Sequence, residues 1–324
     1  MASRDEAVQA GEEVLGWLMA GDSSIRHQTL RDLLDDDRPS LQTRIVTDGD
    51  AATILAARGP AGHWGRGFYQ PKWTSSHYSL LELRDLGVAS GHPSCLRTVE
   101  LIAQQKGSDG GVNPSAGKRP ADVCINGMFL AYAAHFGAPE AVLVSVVDFL
   151  LEQRLADGGF NCDAARSPHR VSSVHSTTSV IDGFAQYLAR GFSHRQDEVR
   201  EALADAVESL LARNLYQQRG RTEAIRPEFT RLHHPSRWHF DVLRGLEVLR
   251  SVGVAWDPRM AAALEVVVGR RRPDGRWVGS SQYPGEAWVS YPGAGEPNRW
   301  VTLRALRVLR WASAAARSAG PPAG

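Results

Sequence analysis

The sequence predicts an all-α fold in which about six helix pairs close into a ring, an (α/α)6 toroid. First, a glycine-rich loop recurs: GPAGHWGRG at Gly59, GSDGGVN at Gly107, ADGGFNC at Ala156 and PDGRWVG at Pro273. Second, a segment with the apolar spacing of a helix follows each loop, and other amphipathic segments alternate with these. Third, no long stretch alternates apolar and polar residues as a half-buried strand does.

The helices that follow the loops are expected to form an inner wall. Among them, Leu80, Leu81, Leu83 and Leu86 recur at the spacing of a helix. The six inner segments begin at Ser23, Ser75, Asp122, His175, Arg237 and Arg299. Aspartate or serine at several starts and glycine at several ends are typical helix caps.

The alternating segments are expected to form the outer wall. They are Glu6–Met19, Leu41–Ala57, Pro93–Gln105, Pro139–Gln153, Gln196–Arg213 and Pro258–Arg270. Paired with the inner set, they predict one domain over residues 1–316, followed by a disordered tail at 317–324.

Helix pairs of this kind either stack into an open solenoid or close into a ring. Here the long loops all precede the inner helix of each pair, and they contain aromatic residues, glycines and most of the histidines. This asymmetry predicts one functional mouth, which favours the ring and leaves the open stack as the alternative.

Charge and composition narrow the class of protein. The chain has 37 Lys and Arg and 36 Asp and Glu, which disfavours a nucleic-acid surface. The N-terminus lacks the apolar region of a signal peptide, and no apolar run approaches the ~18 residues of a membrane span. A cytoplasmic location is therefore expected. Three cysteines, Cys95, Cys124 and Cys162, are too few for a disulfide framework.

The loop at Gln153 and Asp157-Gly158-Gly159-Phe160 resembles the repeat of squalene cyclases and protein prenyltransferase β subunits. The resemblance extends from about Leu41 to Trp311 and implies the same toroid. Squalene-type cyclases use an aspartate-rich acid to protonate an alkene. The acidic cluster of this sequence, at residues 35–37, lies at the end of the first helix pair, where a solvated helix end is expected.

The prenyltransferase resemblance implies a zinc site. The β subunits hold zinc with an Asp-x-Cys pair at one inner helix and a histidine at the next, and Asp122, Cys124 and His175 match this order. Carboxylate, thiolate and imidazole are zinc ligands, and a catalytic site leaves one position open. Cys162 is a candidate fourth ligand or a thiol that faces the substrate. Ordinary packing of the cysteines and capping by the histidine are the alternatives.

The same resemblance implies a site for the diphosphate of an isoprenoid substrate. Lys118 and Arg119 precede Asp122, and Arg170 precedes His175. Clustered cations stabilise a departing diphosphate, whereas a solvated basic loop is the alternative.

Other side chains of the predicted mouth are suited to substrate binding or catalysis. His77 and His239 open inner helices and, with Asp241, are candidate general acids or bases. Aromatic rings can enclose an apolar chain or stabilise a carbocation, although core packing is their common role. The candidate aromatic substrate residues are Trp73, Tyr78, Trp238 and Trp300.

These residues predict a zinc-dependent enzyme that transfers an alkyl or isoprenoid group to a thiol, or performs related cyclase-like chemistry on a small molecule. One alternative is a metal-free, terpene-cyclase-like enzyme. Another is a non-catalytic ring that binds a ligand or a protein, because fold alone does not determine function. The family resemblance also raises the possibility of a partner subunit.

Overall fold

A computed structural model describes residues 11–168 and 170–318 of the protein. Within them the chain forms thirteen α-helices: α1 (Glu12–Met19), α2 (Ser23–Leu33), α3 (Pro39–Arg44), α4 (Gly49–Ala56), α5 (Ser76–Asp85), α6 (Pro93–Ala103), α7 (Val123–His135), α8 (Glu140–Glu152), α9 (Val174–Ala189), α10 (Gln196–Leu211), α11 (Val242–Ser251), α12 (Ala261–Gly269) and α13 (Arg299–Ser318). Short 3-10 helices lie at Cys162–Ala165, Pro227–Thr230 and Pro258–Met260.

The helices form two concentric walls, as the alternation of segments predicts. The inner wall is α2, α5, α7, α9, α11 and α13, and α13 packs against α2. The side chain of Gln28 in α2 donates to the carbonyl of Asp85 in α5 at 3.0 Å, and Arg307 in α13 donates to Gln28. The first and last helices of the inner wall are therefore joined. The closed (α/α)6 ring is confirmed, and the open stack is wrong.

The recurring glycine-rich loop is one turn used four times. In each turn the first backbone N–H donates to the fifth carbonyl: Gly59 to His63 at 2.8 Å, Gly107 to Gly111 at 2.8 Å, Leu155 to Gly159 at 3.0 Å and Arg272 to Arg276 at 2.9 Å. The residue that follows each turn is fully buried: Trp64, Val112, Phe160 and Trp277. The repeats seen in the sequence are therefore structural repeats.

A polar side chain near the start of an inner helix holds each turn in place. It accepts the N–H of the buried residue: Ser76 from Trp64 at 3.0 Å, Asn126 from Val112 at 2.7 Å, Thr177 from Phe160 at 3.0 Å and Thr302 from Trp277 at 3.0 Å. Because an unpaired buried N–H is costly, these bonds fix the loops against the helices that follow them.

The inner helices α7 and α9 pack backbone to backbone. A methyl group added at Gly183 would lie 2.5 Å from the carbonyl oxygen of Gly127, and one added at Gly127 would lie 2.6 Å from that of Ser179. Glycine at both positions therefore permits the close approach.

Several boundaries differ from the prediction. Helix α11 begins at Val242 and not at Arg237, because Arg237 has a positive φ of 54° and Asp241 is the N-cap. The segment Leu41–Ala57 is divided between α3 and α4. Helix α13 continues to Ser318, while residues 1–10 and 319–324 lie outside the described residues. None of the described helices is both long and apolar enough to span a bilayer.

The start of α4 brings three carboxylates together and makes stability depend on pH. Burial, together with the charges of Asp22 and Glu82, raises the pKa of Asp50 to about 6. The Asp50 carboxyl loses its proton at a lower pH in the unfolded chain than in the folded chain. Its ionisation therefore lowers the stability of the fold as pH rises from about 4 to 6. We expect Asp50→Asn to raise the free energy of unfolding at pH 7 by about 1–2 kcal/mol, after allowance for solvent screening. Thermal unfolding at pH 4 and pH 7 measures the effect.

The matched control is the same substitution two residues earlier. Asp48 accepts hydrogen bonds from the hydroxyl and N–H of Ser23 at 2.5 and 3.2 Å, and the hydroxyl bond lowers its pKa. Its contribution is present at neutral pH and is lost as pH falls. Asp48→Asn should therefore lower the melting temperature at pH 7, opposite to Asp50→Asn. If the stability of Asp50→Asn depended on pH as that of the wild type does, the raised pKa would not belong to Asp50.

Candidate functional site

The mouth, at the N-terminal ends of the inner helices, is filled by aromatic side chains. His239 stacks between Trp238 and Tyr283, with ring centroids 3.8 and 3.6 Å away. The indole of Trp73 donates to the carbonyl of Tyr283 at 3.1 Å, and that of Trp288 donates to Ser79 at 3.0 Å. The loop 279–298 therefore packs into the mouth and occupies the space expected for a substrate.

The candidate acid–base residues lie in closed surroundings. His77 is fully buried, with Nδ1 3.1 Å from the Tyr132 hydroxyl, and burial lowers its pKa to about 3. Burial also lowers the pKa of His239 to about 3. Asp241 accepts the N–H groups of Arg244 and His233 at 2.8 and 3.0 Å. Both histidines are therefore neutral near pH 7, and Asp241 caps α11.

Two of the predicted zinc ligands, Cys124 and Cys162, contact each other, whereas Asp122 pairs with a different residue. The N–H of Cys124 donates to the sulfur of Cys162 at 3.2 Å, and the hydrogen bond between the two thiols raises the pKa of Cys124 and lowers that of Cys162. Asp122 forms an ion pair with Arg166 at 2.6 Å.

The fourth predicted ligand, His175, points to another part of the mouth. Its Nδ1 accepts the N–H of Phe240 at 2.8 Å, and its ring packs against Phe229 and Trp238. In the part of the chain that the structure describes, no three His, Cys, Asp or Glu side chains form a group suited to a metal. The donors as placed do not fit zinc, and zinc binding stays a prediction from the sequence.

The basic residues predicted to hold a diphosphate lie on exposed loops. Lys118, Arg119 and Arg170 are all exposed, and Arg170 donates to the carbonyl of Ala164. Arg119 lines an open groove of about 430 Å³ beside Asp122 and Arg166. These cations are therefore near the mouth but are not gathered in a closed pocket.

A second space, the axial cavity, lies along the ring axis beyond the mouth, with a volume of about 300 Å³. All six inner helices and the loop before α11 contribute to its wall. The charged residues of that wall are Arg31, Arg84, Asp85, Asp182, Arg237, Arg244, Glu247, Arg250, Arg304 and Arg307, and the others include Leu81, His135, Gln186, His234, Val248 and Trp300. Seven guanidinium groups and three carboxylates therefore line the cavity. Two further carboxylates outside this lining, Asp32 and Glu82, form ion pairs with Arg31 and Arg237.

The three carboxylates are already paired with part of this positive charge. Arg84 forms ion pairs with Asp182 at 2.7 Å and Asp85 at 3.0 Å. Glu247 binds Arg304 and Arg307, at 2.5 and 3.2 Å. These pairs hold the guanidinium groups in fixed orientations around the cavity.

The remaining arginines leave the cavity with excess positive charge. Within residues 11–168 and 170–318, neither Arg244 nor Arg250 has a carboxylate oxygen within the 4.0 Å of an ion pair. Burial lowers the pKa of both guanidinium groups. The described atoms also provide no hydrogen-bond partner for three buried nitrogens, Nη1 of Arg84, Nε of Arg250 and Nε of Arg307. A bound anion would satisfy both the charge and these donors.

The predicted aromatic substrate residues are divided between the two spaces. Trp300 lines the axial cavity, where its ring stacks on His234 with centroids 5.0 Å apart. Trp73, Tyr78 and Trp238 belong to the filled mouth, and the hydroxyl of Tyr78 lies 2.8 Å from that of Tyr69. Of the four, only Trp300 borders the axial cavity.

Sequence reasoning did not identify the axial arginines as functional candidates. A signal for them was present, because Arg84, Arg244, Arg250, Arg304 and Arg307 lie in segments predicted to be inner helices. Arginine on the inner face of a ring must be paired with an acid or face a cavity, since a buried unpaired charge is costly.

The fold is shared with proteins of known structure. The ring matches a polysaccharide lyase with a TM-score of 0.50 and 12% identity over 100% of both chains. A protein from Actinoplanes has a TM-score of 0.49 and 17% identity, over 96% of this chain and 100% of that one. The type II terpene cyclase MstE from Scytonema, in its R337A variant with geranylgeranyl dihydroxybenzoate, has a TM-score of 0.46 and 14% identity. This match covers 90% of this chain and 87% of that one.

These comparisons concern the fold alone. No protein-family model matches the sequence, and none of the curated proteins matches it. The helical toroid implied by the resemblance is therefore confirmed, and the chemistry has to be inferred from the residues of this chain.

Proposed function

We propose that the protein is an enzyme that binds a small organic diphosphate in the axial cavity and promotes departure of its diphosphate group. The observation that carries this proposal is a partly open cavity lined by seven guanidinium groups, two of which, Arg244 and Arg250, have no acidic partner among the described residues. Guanidinium binds phosphate oxygens through two parallel hydrogen bonds and keeps its charge when partly buried.

The proposed chemistry follows from where charge develops. When the carbon–oxygen bond of the substrate breaks, the electron pair stays on the diphosphate oxygen, so negative charge grows on the leaving group. Arginines already oriented by Asp182 and Glu247 would stabilise that charge without having to reorganise. The cationic carbon is then captured by a nucleophile such as a thiol, or by an alkene of the same molecule in a cyclase-like reaction.

The apolar side of the cavity suits the organic part of such a substrate. Leu81, Val248 and the ring of Trp300 line the wall, and an indole face attracts a cationic carbon. A volume of about 300 Å³ lies at the lower end of the range typical of small-molecule sites, which favours a short chain.

Arg250→Gln tests the proposal with little disturbance of the fold, because Arg250 forms no ion pair within the described residues. We expect the variant to bind inorganic diphosphate about tenfold more weakly than the wild type, the effect of losing one charged hydrogen bond. Isothermal titration calorimetry at low salt measures the affinity. Release of diphosphate from short prenyl diphosphates measures turnover.

The matched control is Arg270→Gln, which removes the same charge from an exposed position at the end of α12. It should leave the affinity unchanged, since its charge is screened by solvent. Failure of the wild type to bind diphosphate at millimolar concentration would reject the proposed site. Binding without turnover on any prenyl diphosphate would instead favour the non-catalytic, ligand-binding ring.

A further inference from the structure

Two cysteines from distant parts of the sequence meet beside the groove at the mouth. Cys124 is the second residue of α7, and Cys162 opens the 3-10 helix Cys162–Ala165. The sulfur of Cys162 lies 3.2 Å from the backbone nitrogen of Cys124 and accepts its N–H. The function proposed for the axial cavity does not involve this contact.

We propose that Cys124 and Cys162 form an oxidisable dithiol site that reacts with peroxides to give an intramolecular disulfide. The required geometry is close to that of the reduced pair. A disulfide needs Cβ atoms about 3.5–4.5 Å apart, and a sulfur in contact with the backbone nitrogen of Cys124 lies next to the Cβ of the same residue. We expect rotation of the two side chains to bring the sulfurs together.

The surroundings hold the Cys162 sulfur in position. The hydroxyl of Ser176 lies 3.4 Å from this sulfur and accepts the N–H of Cys162 at 3.3 Å. Both cysteines are partly exposed, whereas Cys95 is fully buried in α6. This partial exposure gives a small oxidant access to the pair.

The reaction balances with peroxide as the oxidant. One thiol attacks a peroxide oxygen, the oxygen–oxygen bond breaks, and the thiol becomes a sulfenic acid while water leaves. The second thiol then attacks the sulfenic sulfur, and the sulfur–sulfur bond forms as a second water departs. In total, two thiols and one hydrogen peroxide give one disulfide and two waters.

The test is peroxide treatment of the folded, full-length chain, followed by intact mass and non-reducing peptide mapping. We expect a mass loss of about 2 Da, the two hydrogens of one disulfide, and a linked peptide pair that contains Cys124 and Cys162. Because the bond closes a loop between residues 38 apart, it should raise the melting temperature by about 5 °C, reversibly with dithiothreitol.

Three variants make the outcome specific. Cys95→Ala should behave as the wild type, whereas Cys124→Ser and Cys162→Ser should lose both the mass change and the rise in melting temperature. Circular dichroism checks that each variant is folded. Three free thiols in the wild type, under conditions that oxidise dithiothreitol completely, would overturn the proposal, as would a bond to Cys95. This result does not depend on whether the axial cavity binds diphosphate.

Discussion

Gly183→Ala is expected to lower the free energy of unfolding by about 2–3 kcal/mol, or the melting temperature by about 3–5 °C. The new methyl carbon would lie 2.5 Å from the carbonyl oxygen of Gly127, well inside the distance that two such atoms tolerate. The obstacle is backbone in the middle of α7, which cannot move aside as a flexible side chain does. Since α7 is buried from Ile125 to Ala134, the two helices must separate and disturb the inner wall. Thermal and urea unfolding measure the loss.

Gly16→Ala is the matched control. Gly16 lies inside α1, and a methyl group added there meets no atom within 4 Å. Alanine at an open helix position gains about 0.5–1 kcal/mol over glycine, so this variant should melt at the same temperature as the wild type or higher. A Gly183→Ala variant as stable as Gly16→Ala would show that the inner wall is not closely packed at this point.

The ring itself could be predicted because its signals are local. Each glycine-rich turn lies at most 27 residues before the start of the helix that follows it, and the fourfold recurrence identifies the repeat. The start of α11 could not be placed in the same way. Apolar residues around Arg237 and Trp238 recur at helical spacing. However, Arg237 has a positive φ and Asp241 caps the helix, so α11 begins only at Val242.

The state of the mouth depends on contacts that are distant in sequence. His239 stacks on Tyr283, and Trp73 bonds to the backbone of Tyr283, so three loops must be placed before the mouth can be seen to be filled. No local pattern reports that packing. The family resemblance pointed to these loops as the site. The arginines on the inner faces of α5, α11 and α13 could have been predicted from the helical periodicity of the sequence alone.

The buried ion pair between Glu82 and Arg237 gives the second large effect. Both side chains are 4% exposed, and the other oxygen of Glu82 accepts the hydroxyl of Tyr291 at 2.7 Å. Glu82→Ala leaves a buried guanidinium without its counter-charge and Tyr291 without its acceptor. We expect a loss of about 3–5 kcal/mol, or about 5–8 °C in melting temperature.

Two comparisons distinguish the effect of burying this ion pair from the effect of pairing its charges. Asp197→Ala removes an exposed ion pair, with Arg200 at 2.9 Å, and should change stability by less than about 0.5 kcal/mol. The double variant Glu82→Leu with Arg237→Met removes both buried charges and should recover most of the loss. A double variant no more stable than Glu82→Ala would show that shape, and not charge, accounts for the effect.

The same variant connects the stability of the ring to its proposed function. Arg237 lines the axial cavity, so removal of Glu82 leaves one more uncompensated positive charge beside the proposed diphosphate site. Glu82→Ala should therefore bind inorganic diphosphate more tightly than the wild type at low salt, although it is less stable. General loosening of the ring, as in Gly183→Ala, would weaken binding and stability together. Tighter diphosphate binding together with lower stability in Glu82→Ala is thus expected only if the charge of the cavity determines affinity.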